Sequence, residues 1–199
     1  MKTRKTLLLL VLTVVFSIVL AACGNSSPST ESSSAAGEEP GTAETNTNGG
    51  NILIAYFSHT GNTEEVAGQI ADLTGGTLAE IQRAEEYGDL QEEAEAEILE
   101  GVHPEITVSV DNIEDYDTIF VGYPIWWDEA PAMIATFLAE NDFSGKTIIP
   151  FCTSASDDID NSLHIFSELC PDAEIAEGLT ANDLNDIEPW IQELGNLLT

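Results

Sequence analysis

The stretch NILIAYFSHTGNTEEVA, residues 51–67, passes from a continuous apolar run through a hydroxyl-rich turn into an amphipathic pattern. The run 51–57 is too short for a buried helix and lacks polar alternation, so it predicts a strand covered on both faces. Beyond the turn, Val66, Ile70 and Leu73 recur at helical spacing and predict a helix over 63–73. The folded part of the chain therefore begins with a strand, a turn and a helix.

The same alternation continues to the end of the chain. Further strands are predicted at 117–123 and 147–151, with weaker ones at 77–82 and 173–178. Further helices are predicted at 89–99, 131–139, 160–169 and 187–198. Five strands alternating with five helices predict an α/β three-layer sandwich with a parallel sheet and right-handed crossovers. The segment ITVSV, 106–110, also alternates, but it follows His103-Pro104 and is left unassigned.

The N-terminal residues predict export and anchoring. MKTRK is a basic start, an apolar run covers 7–20, and LAAC ends at Cys23, which predicts a signal peptide over 1–22. LAAC resembles the bacterial lipoprotein processing motif, so we expect a lipid on Cys23 and a protein on the outer face of the cell membrane. An ordinary secreted protein with an incidental cysteine is the alternative. Residues 23–50 carry almost no large apolar side chain and are expected to form a disordered linker.

The charge of the chain is strongly negative. It contains 36 acidic and five basic residues, a formal charge of −31. Without residues 1–22 only Arg83 and Lys146 remain as cations, and the charge is 2 − 36 = −34. This balance argues against nucleic acid and against anionic lipid, so any membrane contact would be through the lipid anchor alone. It favours a partner protein with a basic docking patch, although acidity that serves only solubility is equally compatible.

The turn SHTGNT, 58–63, has the composition of an anion site. Ser58, Thr60, Asn62 and Thr63 offer side-chain donors, Gly61 allows a tight turn, and the following helix offers free N–H groups. The alternative is simple helix capping, because Asn62 and Glu65 have the spacing of a capping box. A GxGxxG motif is absent, and SGKT at 144–147 precedes a strand instead of following one, which excludes a P-loop.

A second loop, PIWWDEAP at 124–131, places Trp126 and Trp127 directly after a predicted buried strand. Ligands of parallel α/β sheets lie beyond the carboxyl ends of the strands, where a large aromatic ring can lie against a flat conjugated ligand. The alternative is that the two indoles seal the end of the sheet as part of the core. A third loop at the same edge, CTSASDDIDNS, begins at Cys152.

Three segments, AYFSHTGNTEEVA (55–67), YDTIFVGYPIWWDEAPAMIATFL (116–138) and KTIIPFCTSAS (146–156), are together similar to the flavodoxin family, in a branch with a GYPIWW loop. The resemblance covers 51–199 and implies a five-stranded parallel sheet in the order 2-1-3-4-5. It also implies non-covalent FMN and electron transfer. The residues that it places around FMN come from three loops: Ser58, His59, Thr60, Gly61, Asn62 and Thr63 at the phosphate; Pro124, Ile125, Trp126 and Trp127 at the isoalloxazine; Cys152, Thr153 and Ser154 at the pyrimidine edge.

The third loop departs from the family, since it lacks the glycines and the stacking tyrosine usual there. Our main hypothesis is a lipid-anchored, FMN-binding electron carrier with a basic redox partner. The alternatives are an FMN-dependent quinone or NAD(P)H oxidoreductase and a flavin-free lipoprotein binding module. Cys152 and Cys170 are expected at opposite ends of the sheet and therefore as free thiols. His103 and His164 lack partners at metal-ligand spacing, so no metal site is predicted.

Overall fold

A twisted sheet of seven strands forms the centre of the molecule. The computed structural model describes residues 51–195, 197 and 198. The strands are β1 (Ile52–Tyr56), β2 (Thr77–Arg83), β3 (Ile106–Val108), β4 (Thr118–Pro124), β5 (Thr147–Thr153), β6 (Glu174–Ile175) and β7 (Leu179–Thr180). Their order is β3-β2-β1-β4-β5-β6, and β7 also pairs with β5. The predicted signal peptide 1–22, Cys23 and the linker 23–50 lie outside the described residues and stay predictions.

The predicted order of the parallel strands is confirmed, because β2, β1, β4 and β5 pair in parallel and in that sequence. The prediction of five strands needs two corrections. The unassigned segment 106–110 contributes β3, which pairs antiparallel with β2 and closes that edge of the sheet. The predicted strand 173–178 is instead divided into β6 and β7, which pair with different parts of β5.

Pro150 explains the division of the last strand. The N–H of Ala176 donates to the Ile148 carbonyl at 2.9 Å, and the next donor along β5 would be residue 150. Proline has no N–H, so the ladder cannot continue there. Pairing resumes only at Phe151 with Leu179. Gly178 passes close to this proline, since a Cβ on it would lie 3.1 Å from the Pro150 carbonyl oxygen.

Five α-helices cover the sheet: α1 (Asn62–Thr74), α2 (Leu90–Glu100), α3 (Ala132–Glu140), α4 (His164–Leu169) and α5 (Ile187–Glu193). The first three agree with the predicted helices to within one residue at each end. The helix predicted over 160–169 begins as a 3-10 turn, Ile159–Leu163, before α4. The last helix ends at Glu193 and not at 198, because the N–H of Gly195 bonds to the Gln192 carbonyl and tightens the turn.

Two hydrophobic cores lie on opposite faces of the sheet. Successive side chains of a strand point to opposite faces, so Leu53 and Ala55 join one core while Ile54 and Tyr56 join the other. The helices α3 and α4 cover the first core, and α1 and α5 cover the second. In the part of the chain that the structure describes, no helix has both the length and the apolar character needed to cross a bilayer.

Candidate functional site

A cavity of about 580 Å³ opens at the carboxyl ends of the parallel strands. Its walls come from the loops after β1, β4, β5 and β7, the edge at which the predicted loops were expected to meet. The residues that line it are His59, Thr60, Asn62, Thr63, Glu65, Val66, Pro124, Ile125, Thr153, Ser154, Ala155, Ala181, Asn182 and Leu184. Eight of the predicted site residues are among them. Ser58, Gly61, Trp126, Trp127 and Cys152 are not.

The loop after β1 presents the open end of α1 to this cavity. Gly61 is the N-cap residue, with φ 90° and ψ −12°, and no side chain caps the helix. Its own N–H donates to Ser58 Oγ at 3.1 Å, so Ser58 shapes the turn instead of lining the cavity. The alternative of a capping box formed by Asn62 and Glu65 is therefore wrong, because Asn62 is already the first helical residue. Asn62 and Thr63 line the cavity, so the first N–H groups of α1 lie beside it without a capping side chain and can bind an anion.

Thr63 connects the first and third loops. Its side chain is 1% exposed, and its Oγ1 lies 2.9 Å from Thr153 Oγ1 in a hydroxyl–hydroxyl bond. Because β1 and β5 are separated by β4, this bond fixes the width of the cavity between two strands that do not pair. It also leaves the remaining hydrogen-bonding capacity of each hydroxyl available to a ligand.

The third loop is held by a residue that the sequence analysis missed. The N–H of Ser154 donates to Asn182 Oδ1 at 2.9 Å, and Ser154 Oγ accepts from the N–H groups of Ser156 and Asp157. Asn182 follows β7 and lines the cavity. The position of the fifth predicted strand was the available signal, because the loop after it had to reach the same edge of the sheet.

The two tryptophans lie beside the cavity and not in its wall. Trp126 is half-buried and makes edge-on aromatic contacts, with ring centroids 5.3 Å from Phe57, 6.0 Å from His59 and 6.2 Å from Tyr87. It packs against the core on the α3 side of the sheet. Trp127 is 42% exposed and lines a different groove. Contact of either indole with a flavin ring stays a prediction; the apolar cavity wall from this loop is Pro124 and Ile125.

The cavity has no positive side chain. Among the described residues, Arg83 and Lys146 are the only lysine or arginine, and neither lines it. Arg83 Nη2 lies 3.0 Å from Glu97 Oε1, with its guanidinium 4.5 Å above the Tyr87 ring. Lys146 donates to two carbonyls, of Glu114 and Tyr116, near the amino ends of the strands. Glu65 adds a carboxylate to the cavity, so any anion there depends on N–H groups and hydroxyls.

Both cysteines of the described chain are buried and free, which agrees with the prediction of two thiols. Burial raises the pKa of Cys152 to about 12, although a bond from its Sγ to Thr180 Oγ1 at 3.8 Å opposes the shift. Burial raises the pKa of Cys170 to about 11. Cys152 packs in the core on the α3 side of the sheet and does not line the cavity. Within residues 51–195, 197 and 198, no cluster of side chains has the arrangement of a metal site.

A mostly parallel α/β sandwich with an uncapped helix at a cavity beyond its strand ends has the architecture of flavodoxin-like proteins. The sequence model of the Flavodoxin family matches residues 51–194, and the chain belongs to that family. No curated protein matches the chain.

Solved structures support the same assignment. A candidate flavoprotein from Bacteroides eggerthii is 35% identical, with a TM-score of 0.67, and the match covers 73% of this chain and 98% of that one. One from Bacteroides uniformis is 33% identical, with a TM-score of 0.62, covering 72% and 99%. A flavoprotein from Lactobacillus acidophilus, solved in complex with FMN, is 24% identical, with a TM-score of 0.58 and coverage of 71% and 98%. At that identity the third likeness shows the fold alone.

Proposed function

We propose that this chain binds FMN in the cavity beyond β1, β4 and β5 and acts as an electron carrier. The observation that carries the proposal is the uncapped N-terminus of α1, which opens into a cavity of a flavodoxin-family domain. FMN, when bound, supplies reversible uptake of one or two electrons. The Lactobacillus acidophilus flavoprotein, which shares the fold, was solved with FMN.

The phosphate end of FMN fits the first loop. A phosphate dianion needs several donors, and the first N–H groups of α1, the Thr60 hydroxyl and the Asn62 amide are available beside Gly61. No side chain occupies the helix end in their place. His59 adds mainly its backbone N–H. These neutral donors would hold the phosphate against the nearby Glu65 carboxylate.

The ring of FMN fits the remainder of the cavity. A volume of about 580 Å³ lies within the range of cofactor sites, about 300–1,000 Å³. Pro124 and Ile125 form an apolar wall, and Thr153 and Ser154 line the cavity with the polar groups of the third loop. Asn182 orients that loop through Ser154. Trp126 makes an edge-on contact with His59 and would support the part of the cavity wall that His59 forms.

We further propose that the domain is anchored outside the cell membrane by a lipid on Cys23. The sequence LAAC after an apolar run supports this assignment. Radiolabelled palmitate should be incorporated into the full chain in a bacterial host but not into its Cys23→Ala variant. Equal labelling of the two would contradict the anchor.

FMN titration followed by visible absorbance tests the flavin proposal. Thr60→Val should weaken FMN about tenfold or more, because a bond to a charged phosphate is lost, and should leave riboflavin unchanged. Thr77→Val is the matched control, since this exposed threonine begins β2 at the opposite edge of the sheet. Trp126→Ala should weaken both ligands. A wild-type domain that stays colourless, or equal losses for FMN and riboflavin in Thr60→Val, would refute the proposal. Sustained NAD(P)H oxidation without a partner protein would identify an enzyme instead of a carrier.

A further inference from the structure

A second groove, of about 500 Å³, lies beside the flavin cavity and shares no lining residue with it. Its walls are the C-terminal half of α2, the loop 101–103, the start of α3, part of α4 and the side chain of Trp127. We call it the Trp127 groove. Neither the FMN proposal nor the family assignment explains it.

The Trp127 groove gathers exposed apolar side chains. Five large apolar residues of the described chain are exposed, and three of them line this groove: Leu99 at 76%, Val102 at 42% and Trp127 at 42%. Large apolar side chains scattered singly on a surface need no explanation, but a contiguous exposed group marks an interaction site. The groove floor continues this character with Ala135 and Ile165.

Trp127 lies in a strained turn that leaves its side chain exposed. Residues 126–129 form a tight turn with reciprocal backbone bonds of 2.9 Å between Trp126 and Glu129, and Trp127 and Asp128 have φ of 49° and 65°. Such turns favour glycine, asparagine or aspartate, and a bulky residue at positive φ is strained. Asn161 Nδ2 donates to Asp128 Oδ2 at 2.7 Å and holds the turn from the α4 side. The turn thus leaves the Trp127 indole exposed at the Trp127 groove instead of buried in the core.

The rim of the Trp127 groove is acidic. Glu95, Glu129 and Glu168 line it, and neither Arg83 nor Lys146, the two basic residues of the described chain, does so. His164 Nδ1 lies 3.7 Å from Glu129 Oε2 at one end. An occupant that buries apolar surface here must therefore also bring positive charge to the rim.

We infer that the Trp127 groove docks a segment of a partner protein that combines apolar side chains with lysine or arginine. A second copy of this chain does not suit it, because its 36 acids would meet an acidic rim and its Arg83 and Lys146 are already bonded. Residues 24–50 of the chain contain acids and no lysine or arginine, so they cannot supply the cations. Charge complementarity thus selects a basic partner.

The position of the groove connects docking with the flavin cavity. The Trp127 ring centroid lies 6.3 Å from that of Trp126, which lies 6.0 Å from His59 in the cavity wall. A partner seated in the groove would stand two side chains from the cavity. Electron exchange with this partner rests on the proposed function. The binding of a basic, apolar segment in the groove does not depend on it.

Peptide binding to ¹⁵N-labelled segment 51–199, which contains both cores, tests the inference. The probe is a helical peptide of leucine and lysine, and the control peptide replaces each lysine by glutamate. Amide shifts should concentrate at 95–103, 127–129 and 164–169 for the basic probe alone. An FMN titration of the same sample tests the proposed function separately. A domain that does not bind FMN but still binds the probe at the groove would refute the flavin proposal and leave the docking inference standing.

Matched variants separate the groove from general electrostatics. Leu99→Ser should weaken binding of the basic probe about fivefold or more, as expected of a central apolar contact. Leu73→Ser is the same substitution at an exposed leucine of α1, and it should change the affinity less than twofold. Glu168→Gln should weaken it more than Glu193→Gln. FMN affinity should be the same in all four variants. Absent binding, equal losses for Leu99→Ser and Leu73→Ser, or dimerisation through the groove would overturn the inference.

Discussion

Replacing Glu65 by glutamine should tighten FMN binding. Glu65 lies in the first turn of α1 and lines the cavity proposed for FMN, about one helical turn from the N–H groups that would hold the phosphate. Its carboxylate and the phosphate, which bears a charge of about −1.5 to −2, would repel each other. No lysine or arginine of the described chain lines the cavity to offset this repulsion. Glutamine keeps the size of the side chain and removes its charge.

The size of the gain follows from distance and exposure. Glu65 is exposed, so the dielectric constant of water applies, and two unit charges about 6 Å apart then repel by about 0.7 kcal/mol. With nearly two charges on the phosphate the gain is about 1.3 kcal/mol, which is about ninefold in affinity at low salt. A Debye length of about 8 Å at physiological ionic strength halves the energy, so the gain falls to about threefold.

Fluorescence titration with FMN and with riboflavin, at low and at physiological salt, measures this effect. Glu64→Gln is the matched control: Glu64 occupies the same turn but does not line the cavity. Its carboxylate acts on Tyr56 instead, whose pKa is raised by burial and then by Glu64 and Glu80. The reasoning is refuted if riboflavin gains as much as FMN, if salt leaves the gain unchanged, or if Glu64→Gln gives an equal gain.

Three further outcomes are expected. Glu97→Ala should lower the free energy of unfolding by about 2–4 kcal/mol, because the Glu97 residue is only 7% exposed and its carboxylate accepts hydrogen bonds from Arg83 and Tyr87. Chemical denaturation measures this loss, with Glu193→Ala as the control. Segment 51–199 should show no thiol reactive toward a disulfide reagent at pH 8 while native and two after unfolding, because burial raises the pKa of Cys152 to about 12 and that of Cys170 to about 11; one reactive thiol in the native state would contradict this. With FMN bound, the potential for the second electron should lie below that of free FMN. The shift is about 22 mV for each exposed carboxylate about 8 Å away before screening, because the dielectric constant of water applies to exposed groups. Asp157→Asn should raise that potential in a redox titration, and a value at or above that of free FMN would count against the acidic site.

The strand pattern was predictable because burial on both faces leaves a direct trace in sequence. Runs such as 117–123 contain no polar alternation, and only a central strand of a covered sheet buries every side chain in this way. The same reasoning placed the three loops at one edge, where eight of the predicted site residues line the cavity. Local sequence therefore determined both the central strands and the edge that carries the site.

The remaining features depend on contacts between distant segments. β3 exists because 106–108 finds the free edge of β2, and its three residues carry too little pattern to show that pairing. Trp126 turns toward Phe57, His59 and Tyr87, which come from two other loops, so its environment could not be read from GYPIWW. The bond between Thr63 and Thr153 likewise joins residues 90 positions apart.

Arg83 and Lys146, the two lysine or arginine residues of the described chain, explain why the proposed phosphate site would rely on backbone groups. Arg83 forms an ion pair with Glu97, which also accepts a hydrogen bond from Tyr87. Because the Tyr87 ring contacts Trp126, the Arg83 ion pair supports the loop beside the cavity. Lys146 is committed to the carbonyls of Glu114 and Tyr116 at the other end of the sheet. Since neither is available for phosphate, the proposed site would depend on the N–H groups at the start of α1, and a helix end can bind an anion in this way only if no side chain caps it. The glycine at position 61 meets this requirement, because it gives the turn its positive φ and has no side chain to cap the helix.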